Sequence, residues 1–243
     1  MENNNPDYVY KNVIQLDDAD ASRKFIANVF LWMFAALGIS ALCAYGFATT
    51  DGLRNTLVDA NTQQPNGLAF LVMLSPLAFV LLIRFGLNRI SYPVLALLFM
   101  AYAAVTGISF SFILQQFTSS SVLGVFLTTS VVFGIMAIAG YTTKQDLTKF
   151  GSILIMFLIG IVVASLVNMF LHSSGLDLLI SYIGVAVFVG LTAYDVQRLK
   201  NIGAGLVYGE APAAKMALMG GLTLYLDFIN LFLMLLRVFG RRN

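Results

Sequence analysis

Seven stretches of the chain are almost continuously apolar, at residues 25–48, 67–83, 92–114, 122–141, 152–171, 178–197 and 216–239. Each is close to the ~20 apolar residues that a helix needs to cross a bilayer core. Short polar links with turn residues separate them, as at 61–67, 119–121 and 173–175. The pattern predicts an all-α integral membrane protein: a bundle of seven transmembrane helices forming one domain over residues 23–240. Residues 1–22 are polar and acidic and read as a short cytoplasmic N-terminal arm.

Composition agrees with this reading. Hydrophobic residues make up 59% of the chain and charged ones 11%, against about 25% charged in a typical soluble domain. Mean hydropathy is +0.85. One side of the ladder collects Lys11, Arg23, Lys24, Arg84, Arg89, Lys144, Lys149, Arg198, Lys200 and Lys215, while the opposite loops hold only Arg54. The positive-inside rule then puts the N-terminus in the cytoplasm. Arg237, Arg241 and Arg242 fall outside if the last run crosses fully, which is the one discord; a re-entrant last segment would remove it, but the run is long enough to cross. Gly124 and Thr128, Gly184, and the pair Gly220 and Gly221 are expected at close helix contacts. Pro76 is expected to kink the second helix. The compact chain without a targeting peptide points to a bacterial plasma membrane.

Candidate chemistry rests on two acids. A carboxylate at the centre of a spanning helix costs roughly 2.5–3.5 kcal/mol on insertion scales, so intramembrane acids tend to be functional. Asp195 lies towards the cytoplasmic end of the sixth run and Asp227 well inside the seventh. At helical spacing Gly220, Thr223, Asp227, Asn230, Met234 and Arg237 share one face. The sixth run offers Ser181, Gly184, Thr192 and Asp195 as a matching face. Two carboxyls at close range hold a shared proton more readily than two charges. Deprotonated, they present the hard oxygens that calcium prefers, so Asp195 and Asp227 are candidate calcium ligands. The plain alternative pairs Asp195 with Arg198 and satisfies Asp227 through Asn230 or another helix. At 1.5 Å per residue a simple ladder also separates the two acids by roughly 10 Å in depth. They meet if the last helix effectively starts near Gly220, or if water enters from the cytoplasmic side.

Other chemistry is sparse. His172 is the single histidine, so a His-Glu-x-x-His zinc site is excluded, and no Gly-x-Ser-x-Gly elbow is present. No glycine loop precedes a lysine as a phosphate cradle would require, and basic residues are too scattered for a nucleic-acid surface. Neither an enzyme nor a resident cofactor is expected. Cys43 reads as a small apolar residue.

The segments Ala193-Tyr194-Asp195-Val196-Gln197 and Leu224-Tyr225-Leu226-Asp227-Phe228-Ile229-Asn230-Leu231-Phe232 resemble the Bax inhibitor-1 family of membrane proteins. Thr106-Gly107-Ile108-Ser109 and Lys144-Gln145-Asp146-Leu147 support the likeness, which covers roughly residues 23–240. The resemblance implies a seven-helix fold with the C-terminal helix surrounded by the other six. It also implies a pH-sensitive calcium leak in which Asp195 and Asp227 form a proton-sharing sensor. An arginine ending the second helix would act as a latch to Asp195, with Arg89 the better match and Arg84 the alternative. Two departures bear on gating: Ser75, Pro76 and Ala78 stand where some members carry an acid, and the link from Asn201 to Lys215 is long.

The expected function is therefore a proton-gated calcium or cation leak in a lipid bilayer. Two other classes fit the same residues. One is a non-conducting regulator of partners such as a membrane protease, and the other is a proton-coupled cation exchanger.

Overall fold

The computed structural model describes residues 18–59, 64–86, 90–206 and 211–243. The chain forms α1 (Asp18–Thr49), a single turn α2 (Asp51–Arg54), α3 (Gly67–Gly86), α4 (Tyr92–Gln116), α5 (Ser119–Thr142), α6 (Thr148–Leu171), α7 (Ser174–Ala204) and α8 (Ala211–Phe239). Six of these, α1 and α4 to α8, are long and apolar enough to cross a membrane. The seven apolar runs correspond to α1 and α3 to α8, but most helices extend past the apolar stretch. α1 begins at Asp18, so the last residues of the predicted arm are helical, and Ala21 and Ser22 are buried. The rest of the arm lies outside the described residues. α7 runs on to Ala204 and α8 starts at Ala211, so the link between them is shorter than the apolar pattern predicts.

Contacts define two ends of the bundle. At one end Ser22 Oγ donates to Lys200 O (2.9 Å), Lys200 Nζ to Tyr141 O (2.8 Å), and Lys215 Nζ to Ile90 O (2.7 Å). At the other, residues that follow α8 bond to the α4–α5 link: Thr118 N–H donates to Arg241 O and Asn243 N–H to Gln116 O, both at 3.0 Å. α8 thus runs the length of the bundle and does not turn back within it. Its most apolar stretch is 61% buried, against 11% for α6. α8 packs on α1, α4, α5 and α7, whereas α6 rests mainly on α7 and α3 on α4. Large apolar side chains such as Phe157, Ile159 and Val163 of α6 or Leu127 and Val131 of α5 face outward. In water such a surface would be a liability; against lipid tails it is the expected one.

Two polar devices hold the apolar helices in register. Tyr225 of α8 is fully buried and meets Phe99 and Tyr102 of α4 edge-on, at 5.9 and 5.8 Å between ring centres. Its hydroxyl lies 2.7 Å from Ser40 Oγ of α1, and Ser40 donates onward to Ala103 O at 2.7 Å, so the tyrosine donates to the serine. The second device sits at Pro76, which has no N–H for the carbonyl of Val72 one turn back. Ser75 Oγ donates to that carbonyl at 2.9 Å, and Ser109 Oγ of α4 lies at the same distance. α3 therefore continues through its proline with the freed carbonyl satisfied, partly from the neighbouring helix.

Small residues do set close contacts, though not all where the pattern predicts. Gly220 and Gly221 let α8 approach Val29 and Trp32 of α1, and Gly184 of α7 lies under Met234. Gly124 has open space where a side chain would stand, because this part of α5 borders a surface cleft with Thr128, Leu235 and Phe239. The tightest approaches of one helix backbone to another involve Gly107, against Ser40, and Gly140, against Ala193. Neither backbone can yield as a flexible side chain would. Gly107→Leu should lower the thermal stability of the detergent-solubilised protein by about 1–3 kcal/mol or more, while Gly124→Leu leaves it within experimental error; equal effects would contradict this packing.

Candidate functional site

Asp195 of α7 and Asp227 of α8 are buried, at 8% and 6% exposure. Their carboxyl groups are near neighbours across the seam between the two helices. The depth separation expected from a simple ladder is absent because α7 is 31 residues long and continues to Ala204. Asp195 thus lies well inside its helix, at the level where α8 presents Asp227. Gly220 of α8, packed beside Leu199 of α7, brings the backbones close enough for the short aspartate side chains to meet.

Neither plain alternative for these acids describes the geometry. Arg198 is exposed, and its charge is felt at Asp195 without a direct ion pair. Asn230 Nδ2 donates to Leu226 O of its own helix at 2.8 Å and so is turned away from Asp227. Asp227 Oδ2 is buried and finds no hydrogen-bond donor among the described residues. Its polar neighbour is the other carboxyl.

The polar stripe on α8 divides along its length. Gly220, Asp227 and Met234 occupy its buried edge against α7, whereas Thr223 and Asn230 are half-buried on the other edge. Thr223 Oγ1 donates to Met219 O (3.1 Å), and the fully buried Thr192 Oγ1 to Phe188 O (2.8 Å). Hydroxyls bonded back to their own helix are stabilised without a partner helix. Arg237 is remote from the acids, at the far end of α8, where its guanidinium lies 3.3 Å from Asp177 of α7. Arg89 lies outside the described residues, and of Arg84 only the backbone in α3 is described. His172 occupies the left-handed C-cap of α6, with φ 50°. It serves a corner of the chain: the next residue, Ser173, caps α7 through Leu176 N–H at 3.4 Å.

Gln197 has a role that the apolar pattern did not reveal, although it lies in the segment quoted for the resemblance. It sits two residues beyond Asp195 and is buried. Its Oε1 accepts from Leu147 N–H (2.9 Å) and its Nε2 donates to Gln145 O (2.7 Å), so one side chain grips the α5–α6 link from both sides. Within that link Asp146 accepts from Thr148 Oγ1 (2.6 Å) and Thr148 N–H (2.9 Å) at the start of α6. These bonds, aided by Lys149, hold its carboxyl below the usual carboxylate range. The cap is present above the ordinary carboxylate pKa and fades as pH falls through the lowered one.

The family model described as "Inhibitor of apoptosis-promoting Bax1" matches residues 22–243. The chain belongs to the Bax inhibitor-1 family. Curated relatives align over most of their length. Inner membrane protein YbhL of Escherichia coli K12 is 44% identical over 220 residues, 90% of this chain and 92% of the relative. A protein of Deinococcus radiodurans is 40% identical over 224 residues, covering 92% and 93% of the two chains. A membrane protein of Streptococcus pyogenes is 35% identical over 225 residues, covering 90% and 93%. With its apolar helices and these relatives, this Bax inhibitor-1 family member is an integral membrane protein.

Gln197→Leu should free the α5–α6 link. Amide exchange at Leu147 and trypsin cleavage after Lys144 or Lys149 should both accelerate by tenfold or more, reflecting loss of two bonds worth ~1 kcal/mol each. Asp146→Ala should speed exchange at Thr148 while leaving Leu147 protected. Unchanged exchange in both variants would contradict the described contacts.

Proposed function

We propose that this membrane protein is a proton-gated leak for calcium or a similar cation, with the Asp195–Asp227 pair as both proton sensor and cation site. The observation that carries this reading is the contact of two buried carboxyls with no donor reaching Asp227 Oδ2 among the described residues. Two carboxyl oxygens attract only when a proton lies between them, so on this reading the packed α7–α8 seam belongs to a pair that holds at least one proton. Loss of that proton places two like charges in a low-dielectric seam, where their repulsion is strong. The seam must then separate or admit water and a cation. Raising pH accordingly opens the path and lowering it closes the path.

A passing ion is a better fit than a resident one. Calcium takes six to eight oxygen ligands, and no third histidine, cysteine or acid joins the pair among the described residues. Two carboxylates attract a cation without holding it tightly, as conduction requires. On the same reading α3 is a further span, α8 is the central helix, and the pair lies inside the bundle. The proposed orientation keeps the end bearing Lys200 and Lys215 in the cytoplasm, by the positive-inside rule.

Purified protein in liposomes loaded with a calcium indicator tests the reading. Wild-type flux should rise with pH across the neutral range. Asp195→Asn and Asp227→Asn each replace the shared proton with a permanent amide donor, so flux in either should fall at least tenfold at high pH and lose its pH dependence. Unchanged flux and pH profile in both variants would overturn the mechanism, and absence of wild-type flux at every pH would favour a regulator acting through partner proteins.

A further inference from the structure

A second site lies on another face of α8, remote in character from the acids. A cavity of about 820 Å³ opens between α1, α4, α5 and α8 at the end of the bundle where α8 finishes. Binding pockets for small molecules typically measure roughly 300–1,000 Å³, so the space is large for a packing defect. Ala44 of α1, Val122 and Phe126 of α5, and Phe228 and Phe232 of α8 form an apolar wall. Phe228 and Phe232 follow Asp227 on a different side of the helix, so the cavity and the acid pair share α8 without sharing a surface.

One rim of this apolar space is polar and basic. After α8 the chain turns back against the α4–α5 link: Phe117 bridges to Arg242, Arg241 N–H donates to Ser121 Oγ at 2.9 Å, and Asn243 Nδ2 donates to Gln115 O at 3.0 Å. These bonds fix the backbone of Arg241 and Arg242 beside the opening while both side chains remain exposed. The Arg242 guanidinium stands 6.0 Å over the ring of Phe117, which itself lines the cavity. Ser119, at the start of α5, also lines it, and the positive end of that helix dipole adds to the field of the two arginines.

We propose that this cavity holds one acyl chain of an anionic phospholipid, with the phosphate headgroup on Arg241 and Arg242. The apolar depth suits a lipid tail, which the surrounding bilayer supplies at high concentration. The exposed arginines suit phosphate, to which a guanidinium bonds bidentately. The site also accounts for the basic residues that stand against the positive-inside pattern: they serve a headgroup and not the orientation of the chain. The proposal is independent of the proton-sensing role of Asp195 and Asp227.

Native mass spectrometry of the full-length protein, delipidated in detergent and offered phosphatidylglycerol or phosphatidylcholine, tests it. Wild type should retain one phosphatidylglycerol per chain at least fivefold more than phosphatidylcholine. The double variant Arg241→Gln, Arg242→Gln, which changes only exposed side chains, should retain both lipids equally. Ala44→Phe, which fills the cavity, should lose the retained lipid altogether; Leu123→Trp at the more exposed rim gives the same test if Ala44→Phe does not fold. Equal retention of the two lipids by wild type, or undiminished retention by the double-arginine variant, would overturn the proposal. So would a stable dimer in place of a lipid adduct, since the cavity would then be a contact between two copies of the chain.

Discussion

The contact between α7 and α8 at Asp195 and Asp227 sets the terms for the rest of the bundle. In a hydrocarbon surround, attraction between apolar helices is weak because lipid is as apolar as leucine, so close packing and polar contacts decide the arrangement. Small residues at Gly184 and Gly220 draw the two helices together, and the acids meet where the backbones are close. No described donor relieves Asp227 Oδ2. The same seam that stabilises the fold is thus the place where a single proton, on the proposed reading, decides whether the fold stays closed.

Other polar contacts tie the helices together around the seam. Tyr225, Ser40 and the Ala103 carbonyl tie α8 to α1 and α4. Gln197 and Lys200 tie the far part of α7 to the α5–α6 link and to Tyr141. The carbonyl left open by Pro76 is met by Ser75 and Ser109. A bundle so anchored at its ends and on the opposite face of α8 can concentrate movement at the contact that, on the proposed reading, depends on protonation. The apolar cavity with its basic rim lies on the anchored side, which keeps the proposed lipid site apart from the proposed ion path.

Much of this architecture was legible in the chain. Apolar runs located α1 and α3 to α8, six of them long and apolar enough to cross a membrane, because lipid depth imposes a length on a span. Helix ends were less legible, since hydropathy marks the bilayer core and not the last hydrogen-bonded turn. α7 continues through Gln197, Arg198 and Lys200 because Gln197 finds partners on the α5–α6 link and Lys200 on the last turn of α5, a tertiary fact that no local pattern carries. This hidden extension also made the two acids look separated in depth. The α8 stripe was visible by spacing, yet spacing could not tell its buried edge from its half-buried one, and Arg237 proved to serve Asp177 at the far end. Gly107 and Gly140 were missed because close backbone approach depends on which helix lies opposite.

On the proposed reading the two carboxyls share one proton, which infrared difference spectroscopy of the protein in lipid, with carboxyl-specific isotope labelling, reads directly. A protonated-carboxyl band of one group per chain is expected at neutral pH; it should disappear on alkalinisation and be absent from both Asp195→Asn and Asp227→Asn. A spectrum in which both carboxyls are ionised at neutral pH, with no such band in the wild-type protein, would contradict it.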